Sequence, residues 1–373
     1  MRLSPVFSGL DAYPFLRLND AKRRLTARGV DLIDFGVGEP REETPAFIRE
    51  TLAAAISPRA GYPLAEGLPE YRASVSAWIH RRFGASVDPA TQVIPTLGSK
   101  EAIFHLAQLL AGDHVVVTSP GYPVAARGAL FAGKGVVELP LVAEHGFLPD
   151  LDAVPEAVWA RTAILWLNYP NNPTAATAPP ELYARAAALA RRHDFVLASD
   201  EAYSELYFGD DVPGSALQCG DLANVAVFNT LSKRSSMPGL RCGFVAGDAQ
   251  LISALKAYRP NVGVAPQEHV QRAGIAAWGD EDHVRATREI YRAKRDVLLP
   301  VLMDAGFEPV GGDATFFVWL RAPDGALEAL LEAGVVLAPG EIFGPVGRGY
   351  ARLALVPTLE QCHAAAARIV ATL

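Results

Sequence analysis

A chain of 373 residues is long enough for one large domain and a smaller one. Half of its residues are hydrophobic, a fifth are charged and the net charge is −7. That is the make-up of a folded globular protein, and it excludes a broad basic surface for nucleic acid. The cysteines, Cys219, Cys242 and Cys362, are scattered, with the spacing of neither a metal site nor a disulfide framework, which suits a reducing compartment.

The opening Met1-Arg2-Leu3-Ser4-Pro5 has no long apolar stretch behind its charge, and no run is long enough to span a bilayer. A cytoplasmic enzyme with no membrane or nucleic-acid partner is expected. Gly98-Ser99-Lys100-Glu101 precedes a helical run over Ala102 to Ala111. Free N–H groups at a helix start favour an anion, and glycine lets a phosphate approach, so Ser99 and the backbone at Lys100 are candidates to hold one. Residues 114–118 read as a buried strand, and Tyr122 follows in Pro120-Gly121-Tyr122-Pro123. An aromatic there can stack on a flat ring or fill a core. Residues 162–167 read as the next buried strand, 180–193 as a helix with proline in its first turn, and 195–199 and 225–229 as further buried strands. This rhythm predicts βαβ units and a mostly parallel sheet. The last hundred residues differ: a long helical pattern from about 280 to 305, short apolar segments at 315–320 and 350–355, and a final helix over 359–373. They predict a smaller α+β domain, which the N-terminal forty residues join because they cannot form a core alone.

Each buried strand ends in a polar cluster, and ligands of such sheets bind beyond the carboxyl ends of the strands. The last cluster, Thr230-Leu231-Ser232-Lys233, with Arg241 eight residues on, joins a lone lysine to hydroxyls and an arginine. A lysine amine can form a Schiff base with an aldehyde cofactor, while Thr230, Ser232 and Arg241 grip its phosphate; the combination points to pyridoxal phosphate (PLP). Alone, Lys233 reads more readily as a solvated surface lysine. Asp200, at the tip of its strand in Asp200-Glu201-Ala202-Tyr203, can pair with a pyridine nitrogen and keep it protonated, or simply cap a helix. Tyr203 can hydrogen-bond the ring hydroxyl oxygen. Asn172, between prolines in Asn168-Tyr169-Pro170-Asn171-Asn172-Pro173-Thr174, can donate to the same oxygen and to a substrate carboxylate, although an Asn/Pro-rich turn is an equal reading. Arg352 stands alone in the apolar alternation Tyr350-Ala351-Arg352-Leu353-Ala354-Leu355. Its fork suits a carboxylate or a structural ion pair.

The order Gly38-Glu39-Pro40, Tyr62, Gly98-Ser99-Lys100, Tyr122, Asn172-Pro173-Thr174, Asp200-Glu201-Ala202-Tyr203, Ser232-Lys233, Arg241 and Arg352 resembles the fold-type I PLP-dependent aminotransferases of class I/II, over nearly the whole chain. The resemblance implies an α/β fold: a large domain (41–278) with a mostly parallel seven-stranded sheet sandwiched by helices, and a small domain (279–373) joined by residues 1–40. It implies that Lys233 bears the cofactor and acts as base, with Asp200 on the pyridinium and Tyr203 and Asn172 on the ring oxygen. It implies Ser99, Lys100, Thr230, Ser232 and Arg241 around the phosphate, Tyr122 on the ring face, and Arg352 with the Gly38 backbone on the substrate α-carboxylate. Tyr62 is expected to reach the phosphate of a neighbouring subunit in a homodimer with shared sites. Ala175 stands where the family often has glycine after Asn-Pro-Thr, and Pro123 follows the aromatic where a second tyrosine is usual.

Residues 231–247, with Tyr13-Pro14-Phe15 and 88–93, are most similar to N-succinyldiaminopimelate aminotransferases. They imply transfer of an amino group between glutamate and N-succinyl-2-amino-6-oxopimelate, with Lys100, Arg17 or Arg234 as conceivable partners of the second carboxylates. A broader aspartate/alanine-type aminotransferase and a PLP-dependent carbon–sulfur β-lyase are the alternatives. A PLP-binding regulator would need a DNA-binding domain, for which the chain is neither basic nor long enough.

Overall fold

The computed structural model describes residues 1–8 and 16–373; Tyr13-Pro14-Phe15 lies outside them. Along the chain the strands are β1 (Ile33–Asp34), β2 (Val93–Thr96), β3 (His114–Ser119), β4 (Gly135–Pro140), β5 (Thr162–Asn168), β6 (Val196–Asp200), β7 (Val225–Thr230) and β8 (Gly243–Gly247). They continue with β9 (Glu308–Pro309), β10 (Phe317–Arg321), β11 (Val335–Val336), β12 (Ala338–Pro339) and β13 (Tyr350–Ala354).

Seven of these form one sheet in the order β2-β8-β7-β6-β5-β3-β4. All neighbours pair in parallel except β8, which runs antiparallel to both β2 and β7. The expected mostly parallel sheet is therefore present. β5, β6 and β7 are buried on both faces, which is why they read as unbroken apolar runs. One face is covered by a cluster with Trp78, Trp278 and Phe244, the other by one with Ile103, Trp166 and Phe228. The helix Pro180–His193 buries Leu182, Tyr183, Ala186, Ala187 and Ala190 on one side. It starts on Pro180 and stops at Asp194, whose φ of 56° is left-handed.

The helix expected over 102–111 is shorter, Lys100–Leu106. Gln108 and Leu109 already turn back to the third residue before them, and Gly112, at φ 110°, packs where a Cβ would sit 2.8 Å from Ala163 N. The chain must tighten there to enter β3.

A second, antiparallel sheet runs β12-β13-β10-β9. It begins at Phe317 rather than Thr315, because Thr315 bends at φ 64° and its hydroxyl accepts from Phe317 N at 2.9 Å. The helices Asp282–Asp304 and Leu359–Thr372 cover it through Leu298, Leu302, Cys362 and Ile369. β1 pairs with β11, and Ile33 and Phe35 enter the same apolar cluster. Among the described residues no helix is long and apolar enough to cross a membrane, and no cluster of metal-ligating side chains occurs.

Candidate active site

β2, β3, β5, β6 and β7 end on one edge of the large sheet, facing β10 and β13 of the small one. Between them lies a cavity of about 570 Å³. It is lined by Gly38, Ser99, Lys100, Tyr122, Asn172, Asp200, Tyr203, Thr230, Ser232, Lys233, Arg241 and Arg352, residues drawn from the whole chain. Of the residues singled out in the sequence for the cofactor, only Tyr62 stands elsewhere, with its side chain 98% exposed.

Lys233 rides on the single helical turn Leu231–Arg234 that follows β7, capped by Thr230, whose side chain accepts from Ser232 N at 3.1 Å. Its Nζ donates to Gly38 O at 2.6 Å. Burial, then the positive charge of Arg352, lowers its amine to about 8, with Arg241 adding to the effect. The amine thus loses its proton far more readily than a solvated lysine. Gly38 has to be glycine for this approach: a Cβ would lie 2.8 Å from the Phe317 ring.

Asp200 closes β6 and lines the same cavity. Burial pushes its carboxyl up to about 7, opposed by the Ala202 N–H and by Lys233. Its Oδ1 accepts only a long 3.3 Å bond, from Ala202 N. Among the described residues no cation lies in hydrogen-bond reach of this buried carboxylate, which is matched to a ligand that brings one. Tyr203 is buried edge-on to Phe316 and Phe317, and burial holds its hydroxyl protonated. Asn168 missed notice in the sequence, yet it donates to Asp200 O at 2.8 Å and accepts from Asn172 N at 2.9 Å, tying the two strand ends together. Its place directly after the apolar run 162–167 was the available signal.

Arg352 on β13 donates to Asn172 Oδ1 and to Gly36 O, each at 2.8 Å, and its guanidinium lies 4.2 Å from the Phe317 ring centre and 4.5 Å from that of Phe343. Phe343 had no signal in sequence; it comes from a short 3₁₀ turn. At the other end of the cavity Arg241, in a left-handed conformation at φ 54°, donates to Leu97 O and Pro238 O at 2.9 Å and to Ser232 Oγ at 3.4 Å. Thr230 Oγ1 lies 2.9 Å from Ser232 Oγ, and Gly98 leaves room for Arg241, since a Cβ would meet Nη2 at 2.3 Å.

Two expectations fail. Arg234, considered as a partner of a substrate carboxylate, is 1% exposed and donates to Ala277 O, Asp280 O and Glu281 Oε1. Buried carbonyls and a carboxylate turn it away from the cavity. Arg17 is exposed and does not line the cavity either. Ala175, where glycine was usual, adopts φ 60°, the conformation glycine would favour, so the turn is kept at a cost in strain.

The donor set fits PLP. Hydroxyls and an arginine gather at one end, a lysine with lowered pKa stands in the middle, and an acid with raised pKa shares the cavity with it.

Comparison with known proteins agrees. Residues 30–369 match the family described as aminotransferase class I and II. The chain is 40% identical to LL-diaminopimelate aminotransferase of Nitratidesulfovibrio vulgaris, covering 99% of this chain and 98% of that one. It is 39% identical to LL-diaminopimelate aminotransferase of Aquifex aeolicus, covering 96% of each. Among solved structures it resembles a single mutant of Thermus thermophilus aspartate aminotransferase (TM-score 0.91, 33% identity, all of both chains). It also resembles a probable N-succinyldiaminopimelate aminotransferase of Thermus thermophilus (TM-score 0.88, 32% identity, 96% of this chain and 100% of that one). The chain belongs to the class I and II aminotransferases and is a PLP-dependent aminotransferase.

Proposed function

We propose that this aminotransferase exchanges an amino group between glutamate and a diaminopimelate-type substrate, with Lys233 as the cofactor-bearing residue and base. The observation that carries the roles is the lysine amine lowered to about 8 beside an arginine fork, across from an acid raised to about 7. In this reading Lys233 would bear the cofactor through Nζ, Asp200 would stay ionised against the ring nitrogen, and Tyr203 and Asn172 would hold the ring oxygen. Tyr122 covers the ring face. Ser99, Lys100, Thr230, Ser232 and Arg241 surround the phosphate. When bound, the cofactor supplies an electron sink for the pair left on the substrate's Cα. Arg352 and the Gly38 backbone hold the α-carboxylate so that the Cα–H bond points at Lys233. Once the substrate's own amine has taken its place, the freed Nζ, neutral at little cost because its pKa is already lowered, would take that proton from Cα and hold it for return.

The substrate class rests on the relatives. LL-diaminopimelate is favoured by the two 39–40% identical enzymes that carry its name. The N-succinylated compound is the second reading, favoured by residues 231–247 and the 32% identical Thermus neighbour. A homodimer with shared sites is supported by Tyr62, Ile56 and Leu64, apolar side chains exposed by 98%, 63% and 67% on one stretch. The division into 41–278 and a small domain of 279–373 joined by 1–40 is supported by the β1–β11 pairing.

Steady-state assays with 2-oxoglutarate and either LL-diaminopimelate or its N-succinyl derivative separate the readings. Turnover of the free diamine is expected to dominate. Fast aspartate or alanine transamination with neither compound consumed overturns the substrate class, and thiol release from cystathionine without an oxo acid points to the lyase. Lys233→Ala should abolish the visible absorption band of the cofactor-loaded protein. Retention of that band would show that another lysine bears the cofactor.

A further inference from the structure

We propose that Arg234 and the hydrogen-bonded chain Asp280–His283–Ser235 are positioning residues for Lys233, fixing the turn after the lysine to the junction of two helices that joins the large sheet to the small one. The inference rests on Lys233 being the cofactor-bearing residue.

The turn that carries Lys233 has little structure of its own. The helix Leu231–Arg234 is a single turn, which does not hold its shape without tertiary contacts. Ser236, just beyond it, sits at φ 48°, where an L-residue is strained. What fixes the turn comes from far along the chain. Arg234 Nη1 donates to Ala277 O at 2.6 Å, and its Nη2 to Asp280 O at 3.0 Å and Glu281 Oε1 at 2.7 Å. Its guanidinium lies 5.3 Å from the Trp278 ring centre. Ser235 Oγ lies 2.8 Å from His283 Nε2, and His283 Nδ1 lies 2.6 Å from Asp280 Oδ1. With Asp280 ionised, Nδ1 carries the hydrogen it donates, and Nε2 accepts the Ser235 hydroxyl hydrogen. Thr44 Oγ1 donates to Ser236 O at 2.6 Å and holds the turn from its other side.

The acceptors lie where the helix Glu268–Gly279, packed on the large sheet, gives way to the helix Asp282–Asp304, packed on the small one. The lysine's backbone is therefore indexed to the joint between the two sheets, and the sheets carry opposite walls of the cavity: Asp200 on one, Arg352 on the other. The Ser–His–Asp order invites a hydrolytic reading, but Ser235 is fully buried and lies outside the cavity, so no substrate meets its hydroxyl. The groups facing His283 are Arg234 and Ser235 from the lysine turn, Asp280 and Asp282 from the junction, and the uncharged Phe47 ring. Burial and the Arg234 charge hold the imidazole toward its neutral form, which is the form the chain of bonds requires.

Ser235→Ala, Asp280→Asn, His283→Asn and His283→Gln test the idea in the PLP-loaded protein. Glutamine places its amide near the Nε2 position and keeps the contact to Ser235; asparagine does not. Ser235→Ala, Asp280→Asn and His283→Asn are expected to lower kcat by about 10- to 100-fold, with KM for glutamate within about twofold, since a displaced base misses Cα without weakening carboxylate binding. They should also move the pH midpoint of the cofactor's visible band, which reads the lysine's surroundings directly. His283→Gln should recover most of the loss. A lowered melting temperature with kcat and midpoint unchanged would mean a merely structural role and overturn the proposal. If His283→Asn does not fold, Ser235→Ala, which deletes one oxygen, gives the same reading. Should Lys233→Ala keep the visible band, the assignment of the lysine fails and not its support.

Discussion

Arg352→Lys probes the handle that the proposed mechanism needs most. A lysine keeps the charge but offers one nitrogen where the arginine spans Asn172 Oδ1 and Gly36 O at 2.8 Å each. One charge-assisted hydrogen bond is worth roughly 1.5–3 kcal/mol. The guanidinium also lies between the Phe317 and Phe343 rings, at 4.2 and 4.5 Å. An ammonium on a flexible stem copies that stacking poorly, at a further loss of about 0.5–1 kcal/mol. The sum of about 2–4 kcal/mol corresponds to a fall in kcat/KM of roughly 30- to 1000-fold. The assay compares half-reaction rates with glutamate and with 4-aminobutyrate, which lacks the α-carboxylate but keeps the amine. Wild type and variant should differ by less than about threefold for 4-aminobutyrate, because nothing is left for the fork to grip. Equal losses with both donors would refute the assignment of Arg352 to the α-carboxylate and leave it a structural residue.

Gly98→Ala puts a Cβ 2.3 Å from Arg241 Nη2 at a φ of 68°, so the guanidinium must move; the dissociation constant for PLP, measured by fluorescence titration, should rise roughly tenfold or more, and an unchanged constant would remove Arg241 from the phosphate. Asp200 and Glu201 are both raised to about 7 by burial, above the unfolded value of about 4, so each contributes stability that is full below pH 4 and lost as pH rises through 7. In denaturant titrations of the cofactor-free protein, the stability of Asp200→Asn relative to wild type should grow by about 3 kcal/mol between pH 4.5 and pH 8; a constant difference would mean that Asp200 is not raised. For Ala175→Gly, relief of a left-handed alanine gains about 1–2 kcal/mol, while the buried methyl and the freer unfolded chain cost about 0.8 and 0.5–1 kcal/mol. The variant should stay within about 1 kcal/mol of wild type by urea midpoint, and a loss above about 2 kcal/mol would show that packing of the methyl dominates.

The interior of the large sheet was legible because its physics is local. A parallel strand buried on both faces has to be an uninterrupted apolar run, and β5, β6 and β7 are such runs. β2 and β8 escaped notice for the converse reason. β2 carries Pro95 inside its four residues and β8 is bracketed by Gly243 and Gly247, so neither has a pattern of its own. Their pairing specifies them: a Cβ on Gly243 would stand 2.6 Å from Asn229 O, on the neighbouring strand. The union of Ile33–Asp34 with Val335–Val336 is likewise a contact between distant segments that no window of sequence contains.

The same division runs through the site. Asp200, Thr230 and Lys233 were readable because each stands at the carboxyl end of a readable strand, where the topology exposes polar groups to a ligand. Arg234 was misread because it shares that address. Next to Lys233, a cation in a polar turn looks like a second ligand-binding charge, and only the carbonyls of Ala277 and Asp280 and the carboxylate of Glu281 make it a buried tie. The reactivity of Lys233 depends on the same kind of distant information. Nothing in Ser232-Lys233-Arg234 says that the amine is lowered to about 8; that follows from burial, and from Arg352 arriving on the small sheet. A lysine motif therefore identifies where the amine is, while the closing of the small sheet over the large one decides what the amine can do.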